Sequence, residues 1–396
     1  MKRIKIRNLI VLIVIVTASC SSNSASNTIV PDSDTQGTAI LLSDTNELVK
    51  NAKTSQYNNF ARLIAGLPQH QENPYSKTEK DSLWVKYARA LDAKWSLMTT
   101  KRTTKLIDWA SEEIPDEMRS SDVLFYAFSG ADILNANLLF PQTKACYMFG
   151  LEPVGFLPNV LLKTNNRDSL QRYFNALNMS LNAITNFSFF RTKSMAVDFK
   201  ADELNGTIHL MLLFLVRNGN TIADVKYVYI DENGVQQENS GSAVRSNDGV
   251  EILFVDSTME SHTVTYYSVN LDNAHLESNR GAQLFIKNLG GFNSYLKAAS
   301  YLMHRASFSV IRNVILEQSK YLLQDDSGIP YRFFNDKSKW SENLYGSYVH
   351  PISLFEMHQQ NDLYRAYRDS SIIHKPLNFG IGYNYNQSNL MLFEKK

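Results

Sequence analysis

Two short apolar runs, Val123 to Phe128 and Ala145 to Gly150, lie on either side of residues 129–144, and that spacing restricts the fold more than any other feature of the chain. Each run has the length of a strand, and between them a turn (Ser129, Gly130, Ala131, Asp132) leads into an apolar segment ending at Phe140. A crossover of about a dozen residues or more lets two strands lie parallel, so a strand, helix, strand unit is expected here. The alternation continues downstream. Arg167 to Phe190 reads as a helix, and Thr207 to Val216 is apolar on nearly every side, as a buried helix would be, with a stop at Arg217, Asn218 and Gly219. Ile222 to Asp231 and Gly249 to Asp256 read as strands, and Thr263 to Val269 pairs antiparallel with the second of them. Gly281 to Leu289 and Phe308 to Gln324 have helical patterns, and a further helix follows Pro351 to about Asp369. Tyr295 to Met303 fits a buried strand or a helix equally well. This order predicts an α/β fold: a mixed, mostly parallel sheet with flanking helices over residues 120–396.

Ahead of that domain, residues 45–115 carry a helical pattern in which Leu83, Tyr87, Leu91 and Trp95 recur at spacings of three and four. Pro68 and Pro74 divide it, so a helical N-terminal region is expected to cap or flank the sheet. Residues 1–19 have the layout of an export signal: Lys2, Arg3, Lys5 and Arg7, an apolar run from Leu9 to Val16, then small residues. The run covers about 12 Å as a helix, short of the ~20 residues a membrane span needs, so a permanent anchor helix is the weaker reading. Thr17, Ala18, Ser19 and Cys20 resemble the bacterial lipobox, with Thr where Leu is more usual; the resemblance implies acylation of Cys20, with plain secretion as the alternative. Residues 20–44 are rich in Ser, Asn, Asp and Thr and read as a flexible tether.

At 44% hydrophobic and 20% charged the chain can bury a core, which excludes a disordered chain and a multi-span membrane protein. Without the four basic residues of the leader, 36 basic face 39 acidic residues, a net charge of −3. No basic stripe for nucleic acid is present, and the expected partner is membrane lipid through acylated Cys20. With Cys20 acylated, Cys146 has no disulfide partner, and its apolar surroundings mark it as a buried structural thiol.

Candidate chemistry is sparse. Ser129 and Gly130 sit where a strand turns into a helix, a place where backbone N–H groups can hold an anion or carbonyl, although Ser129 can equally be a helix cap. Ala127 and Ala131 occupy the glycine places of a nucleophile elbow, which disfavours a serine hydrolase. Asp325 and Asp326 follow an expected helix, at the end where the dipole disfavours negative charge, so they and Asp132 are the candidate catalytic carboxylates. A solvated turn is the alternative. Tyr345 and His350 belong to a polar and aromatic cluster that could line a pocket. The eight histidines show no metal-ligand spacing, and Gly380, Ile381 and Gly382 lack the helix that a dinucleotide fingerprint requires, so neither metal nor cofactor is expected.

The stretches FYAFSGADIL (125–134), GLEPVG (150–155), LKAASYLMH (296–304), QDDSGIP (324–330), LYGSYVHP (344–351) and FGIGY (379–383) together resemble an uncharacterised family of exported bacterial proteins, a resemblance that implies no activity. Two readings follow. One is a lipid-anchored envelope protein with a binding or structural role. The other is an envelope hydrolase using Asp325 and Asp326, with the turn at Ser129 to Asp132 holding an anionic or carbonyl group.

Overall fold

The computed structural model describes residues 47–157, 167–187, 204–239, 247–372 and 374–396. The leader, Cys20 and the tether lie outside the described residues. The described residues form one compact unit.

Helix α1 (Gln56–Ile64) opens on the Ser55 side chain, and α2 (Ser82–Met98) opens on Asp81, whose carboxylate accepts from the Leu83 N–H at 2.7 Å. The buried stripe of α2 is Trp84, Tyr87, Ala88, Leu91 and Met98, with Leu83 and Trp95 of the expected face partly buried against the same core. Its last turn loosens into a π-turn, Thr99–Thr103, before α3 (Thr104–Glu113). Then comes the expected unit: β1 (Val123–Tyr126), α4 (Ile133–Leu139) and β2 (Ala145–Gly150), with β1 and β2 parallel. Two helices follow, α5 (Arg167–Phe187) and α6 (Ile208–Arg217), the latter buried from Ile208 through Val216 as its sequence requires. Strands β3 (Thr221–Ile230), β4 (Gln236–Glu238), β5 (Asp248–Val255) and β6 (Ser261–Ser268) form an antiparallel run that rejoins β2 in parallel.

The second half contains α7 (Asn273–Ser278), α8 (Arg280–Asn288), β7 (Phe292–Leu296), α9 (Ser309–Gln318), β8 (Ser319–Gln324), β9 (Trp340–Gly346), α10 (Asn361–Ala366), β10 (His374–Lys375) and β11 (Asn389–Lys395). The ambiguous 295–303 stretch is thus the end of a strand followed by tight turns. Phe308 to Gln324 is not one helix. It is α9 running directly into β8, because Ser319 leaves the helix with extended backbone and the segment SKYLLQ enters the sheet, buried on both faces. Both periods fit so short an apolar run. The expected helix after Pro351 is also split, into a 3₁₀ segment (Ser353–His358) and α10. The Gln360 side chain between them donates to Asp326 O and accepts from Tyr331 N, pinning the chain out of helix.

Eleven strands form one mixed sheet in the order β10-β9-β11-β8-β7-β1-β2-β6-β5-β3-β4, whose centre, β8-β7-β1-β2-β6, is entirely parallel. Side chains alternate between its faces. Leu124, Tyr126, Met148 and Leu323 join the core made with α1 to α6, whereas Phe125, Phe149 and Leu322 join the core made with α7 to α10. The N-terminal helices therefore share the main core with the sheet.

Strand β11, which no sequence signal anticipated, lies antiparallel between β8 and β9. Its Phe393 is fully buried and stacks on Phe334 with ring centroids 3.7 Å apart. Phe393→Ala is expected to cost about 3–5 kcal/mol, to be measured as a shift in the urea midpoint at unchanged slope.

A candidate site at the carboxyl ends of the parallel strands

In chain order β1 pairs first with β2 on one side, and β7 and β8 are then added on its other side, so the winding of the sheet reverses between β1 and β7. In open α/β sheets the crevice outside the strand ends at such a reversal is where ligands bind. Three strands, β1, β7 and β8, deliver the candidate residues there.

At the end of β1, Phe128 and Gly130 take left-handed backbone (φ 57° and 53°), turning the chain before α4. This extra turn makes Asp132, and not Ser129, the cap of α4: Asp132 Oδ1 accepts from the Asn135 N–H (3.4 Å) and side-chain amide (2.8 Å). Ser129 instead ties β1 to β2, its N–H and hydroxyl both donating to Phe149 O at 2.8 and 3.2 Å. Asp132 Oδ2 accepts from Tyr126 Oη at 2.9 Å and pairs with Lys297 Nζ at 2.5 Å. Both partners are about 2% exposed. Burial lowers the Lys297 pKa, and Asp132 opposes that shift.

Past Lys297 the chain leaves β7 through Ala298, Ser300 and Tyr301, all left-handed (φ 50°, 53° and 53°). For residues with a Cβ each such conformation costs about 1–2 kcal/mol. The QDDSGIP loop after β8 holds this path in place. Asp325 Oδ2 accepts from the Ala298 N–H at 2.9 Å, and Ser327 Oγ accepts from the Ala299 N–H at 2.7 Å. Asp325 Oδ1 accepts from the Ser327 N–H (3.0 Å) and hydroxyl. Asp326 accepts from Tyr301 Oη at 2.5 Å and from the Asn389 amide at 2.9 Å. From the FGIGY turn, Tyr383 Oη donates to Ala298 O at 2.6 Å, and Gly382 (φ 72°) passes so near Asp325 that a Cβ there would lie 2.4 Å from its Oδ2. A carboxylate pair at the end of a parallel strand thus replaces the expected one at a helix end, and its charges are met by backbone and phenol donors.

Burial, reinforced by the Asp326 charge, pushes the Asp325 carboxyl up to about 7, and burial also raises Asp326. Tyr295, fully buried on β7, lies beside Asp132, Asp325 and the Arg102 guanidinium of the π-turn, and its hydroxyl has no hydrogen-bond partner among the described residues. Aromatic rings cover this loop: buried Tyr301 stacks on half-buried His358 at 5.1 Å, with His304 at 5.1 Å and Phe355 at 4.9 Å.

Asp132, Asp325 and Asp326 therefore converge, with Ser129 and Gly130 on the neighbouring strand exit, but Tyr345 and His350 do not join them. Tyr345, on β9, donates to Glu113 Oε2 at 3.0 Å and packs its ring on Trp109 at 5.0 Å, tying the sheet to α3. His350 is exposed, with Nδ1 2.7 Å from Pro351 O. Lys297 was the missed member; a lone lysine inside the apolar YLKAASYLM was its signal, since lysine is almost never fully buried unless paired. Cys146 is buried, and burial pushes its thiol up to about 12, as an inert thiol requires. Among the described residues no group of three or more His, Cys, Asp or Glu could hold a metal ion.

Comparisons with protein-family models, with curated proteins and with solved structures found no match for this chain.

Removing one member of the Asp132–Lys297 pair leaves a buried charge unpaired. Lys297→Met and Asp132→Leu are each expected to cost about 3–5 kcal/mol, and the double variant less than their sum, as a double-mutant cycle of urea unfolding would measure. For Asp325, the native pKa lies above the unfolded value of about 3.9, so its contribution to stability is lost as pH rises from about 4 to about 7. Unfolding of Asp325→Asn beside the parent should show the variant gaining on the parent across that window, with a constant difference above it.

Proposed function

We propose that this protein is a lipid-anchored component of a bacterial cell envelope, whose α/β domain binds a small polar ligand at the carboxyl ends of β1, β7 and β8. The observation that carries the binding role is the strained exit of β7, three left-handed residues locked by Asp325, Ser327 and Tyr383 at the reversal of the sheet. Strain held in place by so many donors and acceptors concentrates at ligand sites. The envelope role is supported by the leader and by the residues Thr17 to Cys20. A hydrolase built on Asp325 and Asp326 has less support, because both carboxylates already spend their oxygens on internal donors.

Two measurements test this reading. Feeding cells a fatty-acid analogue should label the protein and leave Cys20→Ala unlabelled; label on that variant would overturn the anchor. For binding, a thermal-shift screen of nucleosides, amino acids and sugars should yield a ligand that stabilises the parent. Ser300→Arg, placing a bulky side chain at a half-buried position of this loop, should abolish the shift. A ligand that stabilises both equally would place binding elsewhere.

A further inference from the structure

Tyr126 on β1 and Tyr295 on β7 stand side by side with ring centroids 4.6 Å apart, and both are fully buried. The Tyr126 hydroxyl donates to Asp132 at 2.9 Å. The Tyr295 hydroxyl has no partner among the described residues, although its ring is fixed by Tyr126 and, at 5.5 Å, by Phe140. Leaving a buried polar group unpaired is costly, and in native structures such a group calls for a water, an ion or a ligand.

The Arg102 guanidinium lies beside that hydroxyl and has the same deficit. Arg102 is 1% exposed, and no carboxylate among the described residues comes within ion-pair distance of it. Its two terminal nitrogens donate to Ile184 O at 3.0 Å, in the last turn of α5, and its Nε–H meets no acceptor. A carbonyl at a helix end carries only partial charge, so much of the buried positive charge is unanswered. The charged neighbours are already committed: Asp132 to Lys297 at 2.5 Å, and Asp325 to the Ala298 and Ser327 N–H groups. Arg312, whose Nε–H is also free, instead lies over the Phe333 ring at 4.6 Å, where its charge faces the π-electrons. Arg102 stands on the π-turn Thr99–Thr103, and helix distortions of that kind recur at functional sites.

Two adjacent unmatched donors select an acceptor, and the unanswered charge selects an anion. A water would satisfy the two atoms and leave the charge. A phosphate would bring two negative charges close to Asp132 and Asp325. A carboxylate brings one charge and two acceptor oxygens, one for each donor. Tyr385, half-buried and also beside Arg102, is the member of this set that reaches the surface, which makes its side the way in. We propose that Arg102 and Tyr295 form the anion-binding end of the strand-end crevice and receive the carboxylate of a small organic acid, its oxygens accepting from the Arg102 Nε–H and the Tyr295 hydroxyl. This rests on the small-ligand reading above and names the class of ligand.

The probe is sodium acetate added to the full-length chain, with acetamide as the neutral match in shape and sodium chloride at the same ionic strength. Acetate should raise the melting temperature above that in chloride and show a broadened ¹³C resonance, and acetamide should do neither. Tyr295→Phe removes only the unpaired hydroxyl, so this variant should be no less stable than the parent without acetate and should bind acetate about tenfold more weakly. Arg102→Met should abolish binding, with circular dichroism confirming its fold; if it does not fold, Tyr295→Phe carries the test. No acetate response beyond that of chloride, or equal responses from the parent and Tyr295→Phe, would overturn the proposal. Loss of stability in Tyr295→Phe with no effect of acetate would assign the two donors to buried water and overturn it as well. A neutral ligand lost in Ser300→Arg and kept in Tyr295→Phe would sustain the crevice and sink the anion site, whereas an acetate response lost in Tyr295→Phe and kept in Ser300→Arg would do the reverse.

Discussion

The buried pair between Lys297 and Asp132 is the contact on which the organisation of this protein turns. It joins the exits of β7 and β1, the two strands between which the sheet reverses its winding, at 2.5 Å and out of contact with water. Two ions so placed are costly to desolvate, and their mutual attraction recovers that cost only where geometry and further hydrogen bonds are good. Tyr126 and Asn135 complete the set around Asp132, which in turn starts α4. One carboxylate thus fixes a helix start, a strand exit and the neighbouring strand at once. Lys297 is also the last regular residue before the left-handed stretch, so the pair sets the point from which the strained path departs.

Asp325 extends the same logic one strand further. By accepting the Ala298 N–H it holds a backbone conformation that Ala298 would not keep alone, and Gly382 is the residue that lets the last loop come near enough to close over it. Sequence segments far apart in the chain, FSGAD, LKAASYLMH, QDDSGIP and FGIGY, are therefore parts of one hydrogen-bonded unit. A carboxyl poised near neutrality within such a unit is primarily a structural acceptor. Its protonation changes what holds the β7 exit, which links that stretch of backbone to pH.

The parallel unit of β1 and β2 could be read from the chain because its signal is local: two apolar runs, a turn between them, and a crossover of the right length. The buried helix α6 was legible for the same reason. Asp325 and Asp326 stood out in the sequence for an incorrect cause, a helix dipole, since SKYLLQ satisfies helical and extended periods alike and only its neighbours in the sheet decide. Tyr345 and His350 resembled pocket residues because polar aromatic clusters look the same whether they face a ligand or a neighbouring helix. Lys297 needed knowledge of a partner 165 positions away, which no spacing rule supplies. The break in the chain at Gln360 arises from tertiary hydrogen bonds that override local preference.

The place of β11 has a consequence for the order in which this molecule can be completed. β8 and β9 do not adjoin in the sheet; each pairs with β11, which follows both of them in the chain. Until residues 389–395 pair, this half of the sheet has an open slot flanked by two unsatisfied strand edges. During that interval the slot accepts any matching strand, and the β11 of a neighbouring copy is the best match available, so exchange between nascent chains is the characteristic hazard of this topology.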